Sequence, residues 1–279
     1  MKFRTEIEIP KSPWQIGYKD KIALLGSCFS DNIARKLEQY SFQVLRPTSN
    51  NVSGLTSNSV AVTLYNPVSI ARHMSDEIVQ NADVFIITFG TAWVYIDKKT
   101  QQVVDNCEKR PASDFIRQRL SVGEIVEIWQ PVIEKHADKR FIFTVSPIRH
   151  LKDGLHENNL SKSILLLAIE QLSNIQLPTA QRSNLQYFPS YELLLDDLRD
   201  YRFYADDLMH PASAAVEYIW ERFVATYMSE STQAEMKDLF ALWLNRNHRS
   251  LHPGSPEDLQ FKARTEEQFR TLKSKYPWI

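Results

Sequence analysis

The 279-residue sequence predicts an α/β fold, a three-layer α/β/α sandwich around a parallel sheet, plus C-terminal helices. Short, continuously apolar segments recur along the chain, and a segment with helical spacing follows each of them. Strands that alternate with helices in this way form parallel sheets covered on both faces. The last three predicted helices follow one another directly. We therefore expect an α/β domain at residues 1–230 and a helical extension packed on it at residues 231–279.

The predicted strands are apolar at nearly every position, as is typical of strands that are covered by helices on both faces. They are residues 21–26, 83–88, 140–145 and a weaker one at 185–188. Residues 93–96 and 102–104 predict a small hairpin that turns at Lys98-Lys99.

Apolar residues at helical spacing predict a helix after each strand. The first helix carries Ile33 and Leu37 on one face, and Ser30 or Asp31 is expected to cap it. Pro131 is expected to kink or split the helix predicted at residues 122–136. Further helices are predicted from residue 67 and at residues 160–172, 212–228, 233–245 and 256–276, and a loop is predicted at the Ser-, Asn- and Thr-rich residues 48–59.

The composition bounds the kind of function. The chain has 33 basic and 34 acidic residues and a net charge of −1, a balance that argues against binding to nucleic acid or to an anionic membrane. Two cysteines, Cys28 and Cys107, are too few for a disulfide framework or a four-thiolate zinc site. No apolar segment reaches the length of a membrane span, and the N-terminal segment does not resemble a secretory signal. We expect a cytoplasmic protein without a cofactor or a metal, whose oligomeric state the sequence does not predict.

Polar residues that follow the strands are the candidates for chemistry, because open parallel sheets bind ligands at the carboxyl ends of their strands. The first strand leads into Gly26-Ser27-Cys28-Phe29-Ser30 at the start of a helix. Backbone N–H groups and the helix dipole at that position favour the thiolate form of a cysteine. A buried, unreactive Cys28 is the alternative, because most free cysteines pack as small apolar residues.

Asp207 and His210 lie three positions apart, just before a predicted helix. At this spacing the carboxylate can hold one imidazole nitrogen and leave the other free to act as a base. Helix capping by Asp207 is the structural alternative. A nucleophile turn after the first strand together with this Asp-His pair favours nucleophilic catalysis.

Several longer motifs support one family resemblance. They are the turn at residues 26–30, Tyr65-Asn66-Pro67-Val68-Ser69-Ile70, Thr88 to Tyr95, Asn106-Cys107, Thr144 to His150 and Tyr201 to Pro211. With these motifs the chain resembles the GSCFA domain family of the SGNH (GDSL-like) hydrolase superfamily. The resemblance implies a flavodoxin-like sheet and an SGNH-like enzyme that acts on a small-molecule or glycan acyl ester.

The resemblance also implies roles for individual residues. The superfamily's Gly-Asp-Ser-Leu-Thr turn aligns without a gap on residues 26–30, which puts Cys28 at the nucleophile position. A one-residue deletion would make Ser27 the nucleophile instead. Asp207 and His210 match the superfamily's Asp-x-x-His, so His210 is the expected base and Asp207 its partner.

The oxyanion block departs from the superfamily pattern. The Gly-x-Asn-Asp block maps on residues 90–93, where Ala92 stands in place of the amide donor. Stabilisation of the oxyanion would then come from the Cys28 backbone N–H, with Thr91 or Asn66 as further donors and Gly90 in the same block. The loss of one such donor typically costs about a hundredfold or more in rate.

Three residues after the third predicted strand are expected to bind substrate. They are Ser146, Arg149 and His150. Arg149 is suited to a carboxylate or phosphate of the substrate, held in a bidentate fork. Pairing of Arg149 with Asp153 or Glu157 in a loop is an equally weighted alternative.

Three other functions stay open on the sequence. The same residues can perform O-acyl transfer, the chain can be a binding protein without catalysis, and a metal hydrolase would use Asp206, Asp207, His210 and His150. The metal site has the weakest support, because no strong ligand spacing is present. Trp93, Trp129 and Trp220 are expected in the core rather than on a substrate surface.

Overall fold

The structure, a computed structural model, describes residues 4–46, 64–105, 110–175 and 184–279. It confirms the predicted three-layer α/β fold. The central sheet consists of β1 (Lys21–Gly26), β2 (Gln43–Leu45), β3 (Val84–Phe89), β6 (Arg140–Val145) and β7 (Leu185–Tyr187), and a separate two-stranded sheet consists of β4 (Trp93–Asp97) and β5 (Phe115–Arg119).

The central sheet is parallel throughout and has the order β2-β1-β3-β6-β7. This is the flavodoxin-like strand order. After β2 the chain crosses back to form β3 on the other side of β1, with Gly26 opposite Thr88 in the register. The order of connection therefore reverses between β1 and β3, and their carboxyl ends open a crevice of the kind in which such sheets bind ligands.

Helices cover both faces of the sheet. They are α1 (Cys28–Gln39), α2 (Pro67–His73), α3 (Glu77–Gln80), α4 (Val122–Lys135), α5 (Leu155–Ser173), α6 (Ser190–Glu192, continued by a π-helical segment Leu193–Leu198), α7 (Ser213–Tyr227), α8 (Glu230–Arg246) and α9 (Pro256–Lys275). Because successive side chains of a strand point to opposite faces, β3 contributes to two cores. Phe85 and Ile87 pack with α2, α4 and α5, whereas Ile86 packs with α1, α7 and α8.

The C-terminal helices pack on the α1–α7 face. Leu239 of α8 and Tyr276 after α9 are buried in the same cluster as Leu37 and Trp220. Residues after 230 thus extend one core rather than form a second. The boundary between residues 230 and 231 stays a prediction.

Three predicted details differ from the structure. The partner of β4 is β5, and residues 102–104 contribute only a single bridge from Val103. Ser27 caps α1, not Ser30 or Asp31. Helix α4 continues through Pro131, which is exposed, so water can bind the carbonyl that the missing N–H leaves without a partner. Within the described ranges, none of the helices has the length and apolar character that crossing a membrane requires.

Two sequence expectations fall outside the described residues. They are the loop at residues 48–59 and the second cysteine, Cys107, with its neighbour Asn106.

Candidate active site

A cleft of about 390 Å³ lies at the carboxyl ends of β1 and β3. It is lined by Cys28, Tyr65, Asn66, Thr91, Trp93, Tyr95, Val104, Asp105, Ile148, Arg149, His150, Leu151, Lys152, Asp153, Met209 and His210. Cys28 and His210 are 182 positions apart in the sequence, and the fold brings both to this one cleft. Cys28, His210, Thr91, Asn66, Arg149 and His150 of the predicted site residues line it.

The first turn separates the two candidate nucleophiles. Ser27 is 1% exposed, does not line the cleft, and accepts a hydrogen bond from the Phe29 N–H at 3.3 Å as the cap of α1. Cys28 is the first residue of α1 and lines the cleft, half-buried. No carbonyl lies four residues before it within the helix, so its N–H is free of helical bonding. This arrangement favours Cys28 over Ser27.

Among the described residues, the thiol has a hydrogen-bond partner in Tyr65, whose hydroxyl oxygen is 3.4 Å from Cys28 Sγ. Burial raises the pKa of the Tyr65 hydroxyl, and the hydrogen bond to Cys28 acts in the same direction. Tyr65 is therefore protonated at neutral pH and able to donate to the sulfur. The sequence did not predict this contact, although Tyr65 belongs to the Tyr-Asn-Pro motif.

Asp207 holds His210 in the predicted way. His210 Nδ1 is 2.6 Å from Asp207 Oδ2, and the N–H groups of His210 and Met209 donate to Asp207 Oδ1 at 2.9 Å each. The His210 backbone N–H, followed by the Met209 N–H and the imidazole, lowers the pKa of Asp207 to about 2. Because Nδ1 is engaged, Nε2 is the imidazole nitrogen left for a reaction.

The loop that carries His210 is closed on itself and is bonded to the segment that follows β6. The Ala205 N–H donates to the His210 carbonyl at 2.8 Å, and the Arg149 N–H donates to the Met209 carbonyl at 3.2 Å. Leu208 has a φ of 57°, in the left-handed region that a leucine adopts only at a cost. The loop thus holds a strained turn between the aspartate and the histidine, as functional sites often do.

Two of the predicted oxyanion donors are already used. The N–H groups of Gly90 and Thr91 both donate to the Tyr65 carbonyl, at 2.8 and 2.9 Å. Gly90 does not line the cleft, and the Thr91 hydroxyl is bonded to Ser161 Oγ at 3.1 Å. Neither amide is free for an oxyanion, which corrects the expectation for these two residues.

Asn66 is better placed for the oxyanion. It caps α2, accepting from the Ser69 N–H at 2.9 Å and donating one amide N–H to Ser69 Oγ at 3.1 Å. Two hydrogen bonds fix the side chain at the cleft wall. Its second amide N–H has no recorded partner within the described part of the chain.

Ser146 serves the fold and not the cleft. It is fully buried, does not line the cleft, and its hydroxyl accepts from the Ile148 N–H at 3.3 Å. Its carbonyl, together with that of Gly90, accepts from the Nζ of Lys162 at 2.7 and 2.6 Å. The expectation that Ser146 binds substrate is wrong in this structure, because its side chain is fully buried and does not line the cleft.

Lys162 is a buried lysine that the sequence analysis overlooked. It is 1% exposed, and burial lowers its pKa to about 7. It occupies the same stripe of α5 as Leu165 and Ile169, so a lysine at an apolar helical position was the available signal. Its ammonium group ties the segment after β3 to the segment after β6.

His150 lines the cleft as a neutral imidazole. Burial, reinforced by the positive charge of Lys162, lowers its pKa to about 4. Its backbone N–H donates to Asn158 Oδ1 at 3.0 Å, and its Nε2 is buried without a hydrogen-bond partner in the described residues.

An aromatic wall lies at the side of the cleft formed by β4. Trp93 and Tyr95 line it, and the Arg117 guanidinium lies 3.6 Å from the centre of one Trp93 ring. Trp129 and Trp220 are buried in the core as predicted, whereas Trp93 contributes to the cleft. Trp93 was predicted in the core because it falls on an apolar stripe, and that pattern does not show that β4 borders the cleft.

The alternative of a metal centre at Asp206, Asp207, His210 and His150 has no support in this geometry. Across the described ranges, no three His, Cys, Asp or Glu residues come together as a set that could hold an ion.

Comparison with known proteins gave matches to one family and to several solved structures. The model of the GSCFA family matches residues 21–80 and 71–223. A carbohydrate esterase of family 3 from Talaromyces cellulolyticus is similar with 15% identity and a TM-score of 0.43, over 78% of this chain and 99% of the other. An acetylxylan esterase from Geobacillus stearothermophilus, solved as a catalytic mutant, is similar with 12% identity and a TM-score of 0.47, over 76% and 95% of the two chains. No curated protein matches the chain.

Proposed function

The chain belongs to the GSCFA family, and from the geometry of its cleft we propose that it is an ester hydrolase with a cysteine acyl-enzyme. One observation carries the proposal. The half-buried thiol of Cys28 and an imidazole already oriented by Asp207 line the same cleft, at the edge of the sheet where this fold binds ligands.

In the first half of the reaction, His210 Nε2 accepts the proton of the Cys28 thiol, and the sulfur adds to the carbonyl carbon of the ester. The carbonyl oxygen carries the negative charge of the tetrahedral intermediate. The carbon–oxygen bond to the alcohol then breaks, and the alcohol leaves with the proton that His210 held. A thioester on Cys28 remains.

In the second half, water gives a proton to His210 and its oxygen adds to the thioester carbonyl. The carbon–sulfur bond breaks, the proton returns to the sulfur, and the carboxylic acid is released. The His210 side chain is 42% exposed, so water reaches the base directly. This exposure favours hydrolysis over O-acyl transfer, which uses the same residues but requires an acceptor alcohol in place of water.

We propose three donors for the oxyanion in place of the amide missing at Ala92. They are the Cys28 N–H at the N-terminus of α1, the second amide N–H of Asn66 and the Tyr65 hydroxyl. Tyr65 is 3.4 Å from the sulfur, close to where the carbonyl oxygen of a bound ester would lie. Each donor of this kind contributes about a hundredfold or more to the rate.

The cleft suits an acylated carbohydrate as substrate. Its volume of about 390 Å³ is that of a small-molecule site. Trp93 and Tyr95 supply aromatic surface along one wall, on which the apolar face of a sugar ring can pack.

The test is acyl-enzyme formation from para-nitrophenyl acetate, followed by intact mass and peptide mapping. We expect a rapid release of nitrophenol and one acetyl group on the peptide of residues 22–34. Cys28→Ala removes both. His210→Ala slows acylation by about a hundredfold or more, the usual contribution of a general base.

Two matched variants and one denatured sample serve as controls. Ser27→Ala retains the adduct and loses only stability, about 1 kcal/mol for the helix cap. His156→Ala removes an exposed histidine of α5 outside the cleft and leaves the rate unchanged. Protein unfolded in urea measures chemical acetylation of the thiol. An adduct on Ser27 would contradict the assignment of the nucleophile, and no adduct across a panel of esters would favour a binding protein without catalysis.

A further inference from the structure

Arg149 presents a cation to the cleft without a carboxylate partner. It lines the cleft, and its guanidinium carbon lies 4.1 Å from the ring centre of Tyr204 and 5.1 Å from that of Tyr201. No described carboxylate forms an ion pair with it. Two aromatic rings therefore hold the guanidinium in place, and no described carboxylate takes up its N–H groups.

The carboxylates that could have neutralised Arg149 are bound elsewhere. Asp153 pairs with Arg117 at 2.5 Å, and Glu157 pairs with Arg119 at 2.7 Å. These were the two partners that the sequence left open for Arg149. Asp153 and Glu157 are instead paired with two arginines of β5, so the structure excludes the pairing of Arg149 with either carboxylate.

The other charged residues that line the cleft also contribute to an excess of positive charge. Asp105 pairs with Arg72 at 3.0 Å and with His73 at 3.2 Å. Lys152 lines the cleft and has no ion pair with a described carboxylate. Among the described residues that line the cleft, each carboxylate thus has a cation of its own, and the charges of Arg149 and Lys152 are left over.

We propose that the ester which this cleft hydrolyses carries an anionic group, a carboxylate or a phosphate, and that Arg149 binds it through two parallel N–H···O bonds. This inference rests on the proposed function. The backbone N–H of Arg149 donates to the Met209 carbonyl, so residue 149 is bonded to the segment that carries His210, and both residues line the cleft. The two parallel bonds between the guanidinium and the anionic group of the substrate fix the distance from that group to the acyl carbon.

The test compares three acetyl esters of one shape: para-acetoxybenzoate, para-acetoxyphenyl phosphate and neutral para-acetoxybenzamide. Each kcat/KM is divided by the rate of the same ester with hydroxide ion, which corrects for the leaving group. We expect at least one anionic ester to exceed the amide by about ten- to a hundredfold, the range of charged hydrogen bonds. Which anionic ester is preferred distinguishes a carboxylate subsite from a phosphate subsite.

Two substitutions at Arg149 and one control identify the residue. Arg149→Met brings the ratio of anionic to neutral ester to about one, and Arg149→Lys, which keeps the charge but not the fork, gives an intermediate ratio. Arg202→Met removes a guanidinium that is 76% exposed and outside the cleft, and it leaves the ratio unchanged. An equal rate for all three esters in the wild type, or a preference that persists in Arg149→Met, would overturn the inference.

Calorimetric binding of benzoate and phenyl phosphate keeps this inference separate from the reaction itself. Binding that Arg149→Met abolishes supports the subsite even if no ester is turned over. Turnover of the neutral ester through Cys28, with no binding of either anion, refutes the subsite and leaves the proposed function intact.

Discussion

Lys162 offers a measurable test of how this fold holds its cleft together. Its ammonium group is buried, and its partners are two carbonyl oxygens, those of Gly90 and Ser146. Burial lowers its pKa from 10.5 to about 7. In the unfolded chain the same amine stays protonated up to about pH 10.5. Between these two pH values the unfolded state binds more protons than the folded state, so stability rises with pH.

The magnitude follows from the pKa values. A fall from 10.5 to about 7 corresponds to about 5 kcal/mol at about 1.4 kcal/mol for each tenfold change. The free energy of unfolding gains about 3 to 4 kcal/mol of this between about pH 7 and pH 10. Below pH 7 the amine is protonated in both states and contributes no slope.

The assay is denaturant unfolding of the wild type and of Lys162→Met at several pH values in this range. The loss of two donors to buried carbonyls destabilises the variant by an amount that does not depend on pH. The difference between the two proteins therefore isolates the amine, because His150, whose pKa of about 4 depends on burial and on Lys162, is neutral in this pH range and the other titrating groups cancel. We expect the wild type to gain about 3 to 4 kcal/mol relative to the variant as the pH rises.

A difference that stays constant with pH would refute this reasoning. It would mean that two carbonyl oxygens stabilise the ammonium group as well as water does. Lys162→Gln, which can still donate to one carbonyl, replaces the methionine variant if the latter does not fold. Lys237→Met on the exposed face of α8 reports the effect of removing one surface charge.

Two further predictions concern the strand that leads to Cys28 and a histidine other than His210. Gly26 has a φ of 143°, and a Cβ there would lie 2.2 Å from the Thr88 carbonyl oxygen. We expect Gly26→Ala to lower the free energy of unfolding by more than about 3 kcal/mol. As a control in the same urea titration, Gly123→Ala is neutral or stabilising, because the added Cβ meets nothing within 4 Å. The hydrogen bond that His73 donates to Asp105 raises the pKa of His73 despite partial burial. The stabilisation from this bond is therefore complete below about pH 6.5 and is lost as the pH rises through the higher folded-state pKa. The difference in unfolding free energy between the wild type and His73→Gln should therefore be larger near pH 6 than near pH 9, and equal values at both would contradict the raised pKa.

The sequence was sufficient for the elements whose signal is local. Strands β1, β3 and β6 are continuously apolar, and their bounds were predicted to within one residue. In contrast, β5 has the sequence Phe-Ile-Arg-Gln-Arg with Ile116 exposed, which resembles a loop until Trp93 and Tyr95 of β4 are known to lie opposite.

The candidate site was predictable where one short motif contains both partners. Asp207 and His210 form a hydrogen bond with each other within one turn, so their spacing in the sequence was enough to predict the contact. The contact between Tyr65 and Cys28 joins two loops, and the partners of Asp153 and Glu157 come from β5. Contacts of this kind depend on how distant segments meet, which a single sequence does not encode in any local pattern.

The separation of the two sheets has a consequence for how new specificity can arise in this fold. The aromatic wall belongs to the two-stranded sheet of β4 and β5. The thiol lies at the end of a central-sheet strand, and the imidazole lies on the segment before α7. Side chains of the small sheet can therefore be exchanged without altering the register of the strands that position Cys28 and His210. If the proposed function is correct, variants with a different range of esters should map to β4 and β5 and retain the proposed chemistry at Cys28 and His210.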